Sequence, residues 1–219
     1  MFLMTTSRFL FLILALTISH RLPASSEPRH SPSLRLGVDI SGIGRQLISP
    51  ESLTAEFSAD LEWKKNFFAA LEGGWMDVDI SRETHSYLAS AYFVRAGADF
   101  NLLERTPETL HDVVLISLRY GYSNMQHQAP RVVVPDPYWG NYQTSVGKEP
   151  YHAHWLEAGL GLKTRVWHQF FMGWSLRGRL LISHTRDPEM EPYLIGGFGQ
   201  AGSNTSLMLH YHLYYRFPL

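Results

Sequence analysis

The stretch Leu53-Thr54-Ala55-Glu56-Phe57-Ser58-Ala59-Asp60-Leu61-Glu62-Trp63 alternates without a break between apolar odd positions and polar even ones. Successive Cβ atoms of a strand point to opposite faces, so Leu53, Ala55, Phe57, Ala59, Leu61 and Trp63 share one face. Thr54, Glu56, Ser58, Asp60 and Glu62 share the other. This period of two excludes an amphipathic helix, whose apolar positions recur every three to four residues. The run is also as long as a tilted strand that crosses a bilayer, about 9–11 residues.

Working outward, seven further segments read the same way: 34–41, 67–76, 88–102, 112–123, 153–166, 170–183 and 206–217. Every charged residue in the eight segments except Asp112, at the first position of 112–123, falls on one face. The acids are Asp39, Glu56, Asp60, Glu62, Glu72, Asp99 and Glu157; the bases are Arg35, Arg95, Arg119, Lys163, Arg165, Arg177, Arg179 and Arg216. The opposite face carries residues such as Leu36, Val38, Leu71, Val94, Ile116, Leu118, Leu160, Leu176, Leu209 and Leu213.

Alternation alone does not say which face points outward, because a soluble lipocalin-like barrel also alternates, with its charges in water. Three features favour charges inside. Gly37, Gly74, Gly97, Gly121, Gly159, Gly161 and Gly173 lie on the charged face, where small residues leave room for long side chains. The bases of the chain are 15 Arg and only 4 Lys, and a planar guanidinium suits packed, hydrogen-bonded pairs. Trp63, Trp75, Tyr92, Tyr122, Trp174 and Tyr215 sit towards the ends of the bare runs, where an interfacial girdle places amphipathic rings.

The connections agree. Lys64–Asn66 and Trp167–Gln169 are very short and Leu103–His111 is modest, whereas Gly42–Ser52, Asp77–Tyr87, Asn124–His152 and His184–Thr205 are longer. Short and long links alternate in outer-membrane barrels, and an even strand count returns both termini to one side. Ahead of the strands, Arg8 precedes the apolar run Phe9–Ile18, with Pro23, Ala24, Ser25 and Ser26 following. That is the layout of a cleaved signal peptide, shorter than the roughly 20 apolar residues of a membrane anchor. The expected organisation is a signal peptide over 1–26, a polar lead-in over 27–33 and the barrel over 34–219. The fold class is all-β: a closed, antiparallel, up-and-down transmembrane β-barrel of about eight strands. With no Cys, burial and closed hydrogen bonding must hold it together. A net charge of -1 and a pI near 6.8 give no basic stripe for nucleic acid.

The terminal stretch Leu209-His210-Tyr211-His212-Leu213-Tyr214-Tyr215-Arg216-Phe217 resembles the aromatic-rich last strand read by the barrel-assembly machinery, with Pro218 and Leu219 after its final aromatic. More narrowly, Arg35-Leu36-Gly37-Val38-Asp39, Leu118-Arg119-Tyr120-Gly121, Asp136-Pro137-Tyr138-Trp139-Gly140, His154-Trp155-Leu156-Glu157, Gly173-Trp174-Ser175-Leu176-Arg177-Gly178-Arg179 and Tyr215-Arg216-Phe217-Pro218-Leu219 look like an uncharacterised Bacteroidota family of small outer-membrane barrels. The resemblance covers nearly all of the mature chain. It implies the bacterial outer membrane as location and no known activity, so it assigns no functional residue.

An eight-stranded barrel is just wide enough to be filled by side chains. The charged face is therefore expected to form a lumen network of ion pairs: Glu56, Asp60, Glu62, Glu72, Arg95, Asp99, Arg119, Glu157, Lys163, Arg165, Arg177, Arg179 and Arg216. A narrow conducting path is the alternative. His210 and His212, spaced i, i+2 on one face, are weak candidates for a metal site, with no third ligand evident. Ser123, His127 and Glu157 could be arranged as a lipid-hydrolysing constellation, but many other Ser and His combinations could too, and no catalysis and no cofactor are expected. Gly197-Phe198-Gly199-Gln200-Ala201-Gly202 matches G-x-G-x-x-G without a following helix and reads as a flexible loop. The 130–151 loop, with Tyr138, Trp139 and Tyr142, is the candidate for contact with a surface partner or glycan, or else folds back over the barrel mouth. Outer-membrane lipids are the remaining expected partner.

Overall fold

In a computed structural model, the structure describes residues 33–48, 50–104, 106, 112–185 and 190–218. The expected signal peptide, and the lead-in up to Pro32, lie outside the described residues. The elements are β1 (Ser33–Asp39), α1 (Ser41–Ile48), β2 (Ser52–Lys64), β3 (Phe67–Ser81), β4 (His85–Asn101), β5 (Val113–Val134), β6 (Tyr142–Trp167), β7 (Phe170–His184), β8 (Leu194–Ile195), β9 (Gly199–Gln200) and β10 (Thr205–Pro218). Eight of the strands close a barrel in the order β1-β10-β7-β6-β5-β4-β3-β2, every neighbour antiparallel, and β8 and β9 form a separate two-stranded hairpin. Closure joins the first and last strands, with Arg35 opposite Arg216 and Asp39 opposite His212. Among the described residues no helix is long and apolar enough to cross a membrane.

The short hairpins follow local chemistry. Asn66 and His168 take φ of 66° and 47°, turning β2 into β3 and β6 into β7 within two residues. Asparagine visits this left-handed region more readily than most residues. Both turns lie at the end of the barrel that holds the two ends of the sheet, called here the terminal end.

The two faces separate as the alternation requires. Arg95 and Asp99 are fully buried, while on the same strand Tyr92 is 74 % exposed. Leu118 is 63 % exposed and Leu160 54 %, against Arg119 and Glu157 buried beside them. An apolar belt thus wraps the outside. Aromatic rings mark both its edges. At the terminal end Trp167 stacks on Phe170, which meets Tyr215 edge-on. At the far end Phe57 packs on Trp75, and the Tyr120 and Tyr122 hydroxyls meet His154 Nδ1 at 2.6 Å and His152 Nδ1 at 3.0 Å. From Phe100 to Tyr92 the strand covers about 26 Å at ~3.3 Å per residue, or about 20 Å of height at a tilt near 40°.

Beyond the far edge of the belt the polarity of the two faces exchanges. On β3 the outward residues become Asp77 and Asp79 and the inward ones Met76 and Val78. β4, β5 and β6 do the same, turning Tyr87, Ala89, Ala91, Phe93, Met125, Tyr151, Ala153 and Trp155 inward as one buried cluster. This corrects the expected long links. Asp77–Tyr87 is largely strand with a turn near 82–84, and most of Asn124–His152 belongs to β5 and β6, leaving 135–141 as the tip. The Gly42–Ser52 link also holds α1, whose start is fixed by Asp39 Oδ1, which accepts the Ser41 N–H at 2.7 Å and its hydroxyl at 2.6 Å.

Crowding inside explains the glycines. A Cβ on Gly121 would lie 2.1 Å from the Trp155 ring opposite it, and one on Gly97 2.7 Å from Arg119 Cα. On the outer part of β6, Gly147 has nothing within 4 Å. Gly121→Ala is expected to lower the unfolding free energy of refolded protein in urea by about 1–3 kcal/mol, because the enclosed Trp155 ring has nowhere to move. Gly147→Ala should stay within about 0.5 kcal/mol. Equal midpoints for the two variants would contradict this packing.

Candidate functional site

The interior at belt height is built from charge. Six carboxylates (Asp39, Glu56, Asp60, Glu72, Asp99 and Glu157) and six cations (Arg35, Arg95, Arg119, Lys163, Arg177 and Arg179) are buried there. Glu72 of β3 is the hub. Arg177 of β7 reaches across the barrel and donates through both terminal nitrogens, 2.6 and 2.9 Å from the two Glu72 oxygens, while Arg119 Nη1 and Arg95 Nε each approach to 3.0 Å. Glu157 is the second hub, accepting from Arg179 at 2.7 Å and Arg177 at 3.1 Å. Arg119 holds both oxygens of Asp99 at 2.9 Å, and Arg95 donates to Glu56. Towards the terminal end, Asp60 joins Arg35 at 2.5 Å to Lys163 at 2.6 Å. Guanidinium dominates because one planar fork serves two carboxylates from different strands.

Apolar and aromatic residues close this layer on both sides. Towards the terminal end lie Phe68, Val113 and Leu115, with Arg35 over the Phe68 ring at 4.5 Å and Lys163 over Tyr214 at 4.5 Å. At the far end the cluster around Phe93 and Trp155 is completed by Ile195 and Phe198 of the β8–β9 hairpin, both buried. Phe198 meets Trp155 edge-on at 5.9 Å, and its carbonyl accepts from Arg179 at 3.0 Å. The G-x-G-x-x-G segment is therefore not a free loop. Gly197, at φ 75°, lets the backbone lie directly on Phe93, where a Cβ would sit 2.5 Å from the ring. The glycine spacing noted in the sequence is the signal of this inward fold; its partner surface was not legible.

The expected network residues fall into two groups. Glu56, Asp60, Glu72, Arg95, Asp99, Arg119, Glu157, Lys163, Arg177 and Arg179 come together as described, joined by Arg35 and Asp39. The other three sit at the terminal rim. Glu62 is buried and accepts the Asn66 N–H at 3.4 Å, whereas Arg216 is half-buried over Phe171 and donates to Gln169 at 3.4 Å. Arg165 is exposed, so its place in the network is corrected: β6 outruns the charged layer and leaves the side chain in solvent.

The structure supplies His210 and His212 with a third neighbour, Glu56, all three donor atoms lying within 4.8 Å of one another. Their chemistry is nevertheless that of the network. Arg179 can only donate, so His210 Nε2, 2.7 Å away, accepts, and Nδ1 donates to Asp39 at 3.1 Å. Both ring nitrogens are thus engaged. With Glu56 held by Arg95, a cation would have to displace existing partners from two of the three, and the six-to-six balance needs no added charge. Ser123 and His127 both point inward from β5, but four residues along a strand separate them by roughly 13 Å. Glu157 is bound to arginines, so this trio does not assemble. At the tip, Tyr138 and Trp139 are 91 % and 92 % exposed, Tyr142 opens β6 and is also exposed, and Asp136 accepts the Tyr138 and Trp139 N–H groups at 2.7 and 2.9 Å. These two donors hold the Asp136 carboxyl below its usual range.

The family described as "Domain of unknown function (DUF6048)" matches residues 1–219. The chain belongs to that family. No curated protein matches its sequence. Among solved structures, a major outer membrane protein from Thermus thermophilus is similar at 10 % identity and TM-score 0.50, covering 86 % of this chain and 100 % of that one. Ail, the attachment invasion locus protein of Yersinia pestis, is similar at 11 % identity and TM-score 0.43, over 86 % and 99 % of the two chains. Neisserial surface protein A follows at 9 % and 0.40, over 86 % and 96 %. The Thermus likeness is one of fold: this family member is an all-β, up-and-down antiparallel barrel of eight strands.

The network predicts unequal costs of charge removal. Glu72→Leu removes one partner from each of three guanidiniums, leaves one uncompensated positive charge in a low-dielectric interior, and should destabilise refolded protein by roughly 3–5 kcal/mol in urea. Arg165→Leu should change it by less than about 0.5 kcal/mol. Comparable losses for both would mean that the interior charges are solvated.

Proposed function

We propose that this chain is a small outer-membrane β-barrel whose lumen is plugged by its own ion-paired side chains and which serves a structural or surface-contact role without catalysis. One observation carries the reading: charges face inward and balanced while an apolar belt with aromatic edges faces out. In water so large a contiguous apolar surface favours aggregation. In a bilayer it meets lipid, and a closed sheet leaves no backbone edge in the hydrocarbon at the level where all eight strands pair. The Thermus protein's designation as an outer membrane protein supports this setting, and the motif resemblance suggests a Bacteroidota envelope, entered through the signal peptide.

Lipids of the outer membrane surround the belt, and the assembly machinery engages the last strand through Leu209–Phe217. Apolar clusters lie on both sides of the ionic layer, which favours a plug over a channel. The far end faces outside, carrying the β5–β6 hairpin away from the membrane, and Tyr138, Trp139 and Tyr142 offer aromatic contact to a surface partner or glycan.

The test combines location with topology. Mature protein should pellet with outer membranes and migrate faster unheated than boiled in SDS. An epitope inserted after Gly140 should be labelled on intact cells. Protein that stays in the supernatant without detergent, or a tag reached only after the outer membrane is broken, would overturn the reading.

A further inference from the structure

The barrel wall is incomplete on one side. β1 ends at Asp39, so among the described residues no strand bridges β2 and β10 above the Val38–Phe57 and Asp39–His212 pairs. Ser52–Glu56 pair only with β3 and Thr205–Tyr211 only with β7, and among the described residues no strand occupies the facing edges. The Ile40 N–H reaches the Tyr211 carbonyl at 2.8 Å, and above it α1 packs against both strands. Outward side chains at this breach are Leu53, Leu207 and Leu209, the last two 69 % and 60 % exposed, so the breach opens within the apolar belt.

Directly behind it lies a cavity of about 240 Å³. Met76, Phe93, Ile195 and Met208 form its walls, and the glycine-rich backbone of the β8–β9 hairpin lies over it. Its floor is the top of the charged layer: Glu56, Arg179 and His210. Those groups are already engaged by Arg95, Glu157 and Asp39, so the floor has hydrogen-bonding edges but no free charge to draw an ion. A dry apolar cavity of ~150 Å³ takes up benzene, so this one is large enough for a short aliphatic chain or a small aromatic molecule.

We propose that this cavity binds one small uncharged apolar or weakly amphiphilic molecule, which enters from the surrounding lipid through the breach between β2 and β10. The proposal rests on the membrane reading above and goes beyond it, since a structural barrel has no need of a side-entry cavity. The hairpin closes the route from above, α1 narrows the route from the side, and the ionic layer blocks passage onward. The geometry suits capture and storage or sensing rather than transport across the membrane.

The absence of Cys from the chain makes a direct test possible. Met208→Cys places one thiol in the cavity wall, and Leu118→Cys places one on the lipid-facing surface far from it. Each variant, in lipid nanodiscs and checked for heat-modifiable migration, is reacted with octyl methanethiosulfonate and with the charged sulfonatoethyl reagent. At Cys in position 208 the octyl reagent should react about ten-fold faster or more than the charged one. Its rate should saturate with concentration, octan-1-ol should slow it competitively, and adding Ile195→Trp to fill the cavity should suppress it. At position 118 the octyl reaction should not saturate. Equal rates for both reagents at 208, or a rate that never saturates, would overturn the site while leaving the membrane reading intact. Rapid reaction of the charged reagent at 118 would overturn the membrane reading itself.

Discussion

A charge enclosed by eight strands has little water to solvate it, so each guanidinium inside this barrel must meet a carboxylate or destabilise the fold by several kcal/mol. That constraint organises the molecule. Glu72 and Glu157 draw arginines from β4, β5 and β7 into one network, and three of its pairs, Arg119–Glu72, Arg177–Glu72 and Arg95–Glu157, tie together strands that are not neighbours in the sheet. Backbone ladders alone would fix only adjacent strands. The network fixes the cross-section, and Gly97 and Gly159 mark where the stems of Arg119 and Arg177 pass close to backbone.

The apolar layers on either side of the network serve the same constraint. Aromatic residues at the terminal end and the Phe93–Trp155–Phe198 group at the far end keep solvent from the ion pairs, which strengthens them by lowering the local dielectric. The β8–β9 hairpin belongs to this arrangement, since Phe198 contributes both a ring to the apolar layer and a carbonyl to Arg179. A barrel filled in this way is rigid at its centre. What remains adaptable lies at the edges: the breach beside α1 and the tip that carries Tyr138 and Trp139.

The barrel was legible because a strand's period is two and because, within the belt, charge kept to one face. Where reading stopped, the reason is physical. At Trp75–Met76, Tyr92–Phe93 and Trp155–Leu156 the strands leave the apolar belt, and the apolar residue moves from the outward to the inward position. Two apolar residues then fall side by side and the alternation looks broken, although the strand continues. That is why β5 and β6 looked short and their hairpin looked like a long loop. The ionic residues of the network were legible by parity, but not their partners, because register between distant strands leaves no mark in one sequence. Arg165 kept the right parity and still lies in solvent, since parity says which way a side chain points and not how high it sits. The third neighbour of His210 and His212 came from β2, far along the chain. The short reach of β1, which opens the cavity, depended on α1 starting at Ser41 instead of a loop.

The central claim is that lipid touches the uncharged face of every strand. Nitroxide labels placed singly at Val114, Ile116, Leu118, Tyr120, Tyr122 and Asn124 of β5, in reconstituted protein, measure it through collisions with oxygen and with a water-soluble nickel chelate. The account predicts oxygen-dominated collisions through the Leu118 region, giving way to nickel by Asn124. Nickel-dominated collisions at all six positions would contradict it.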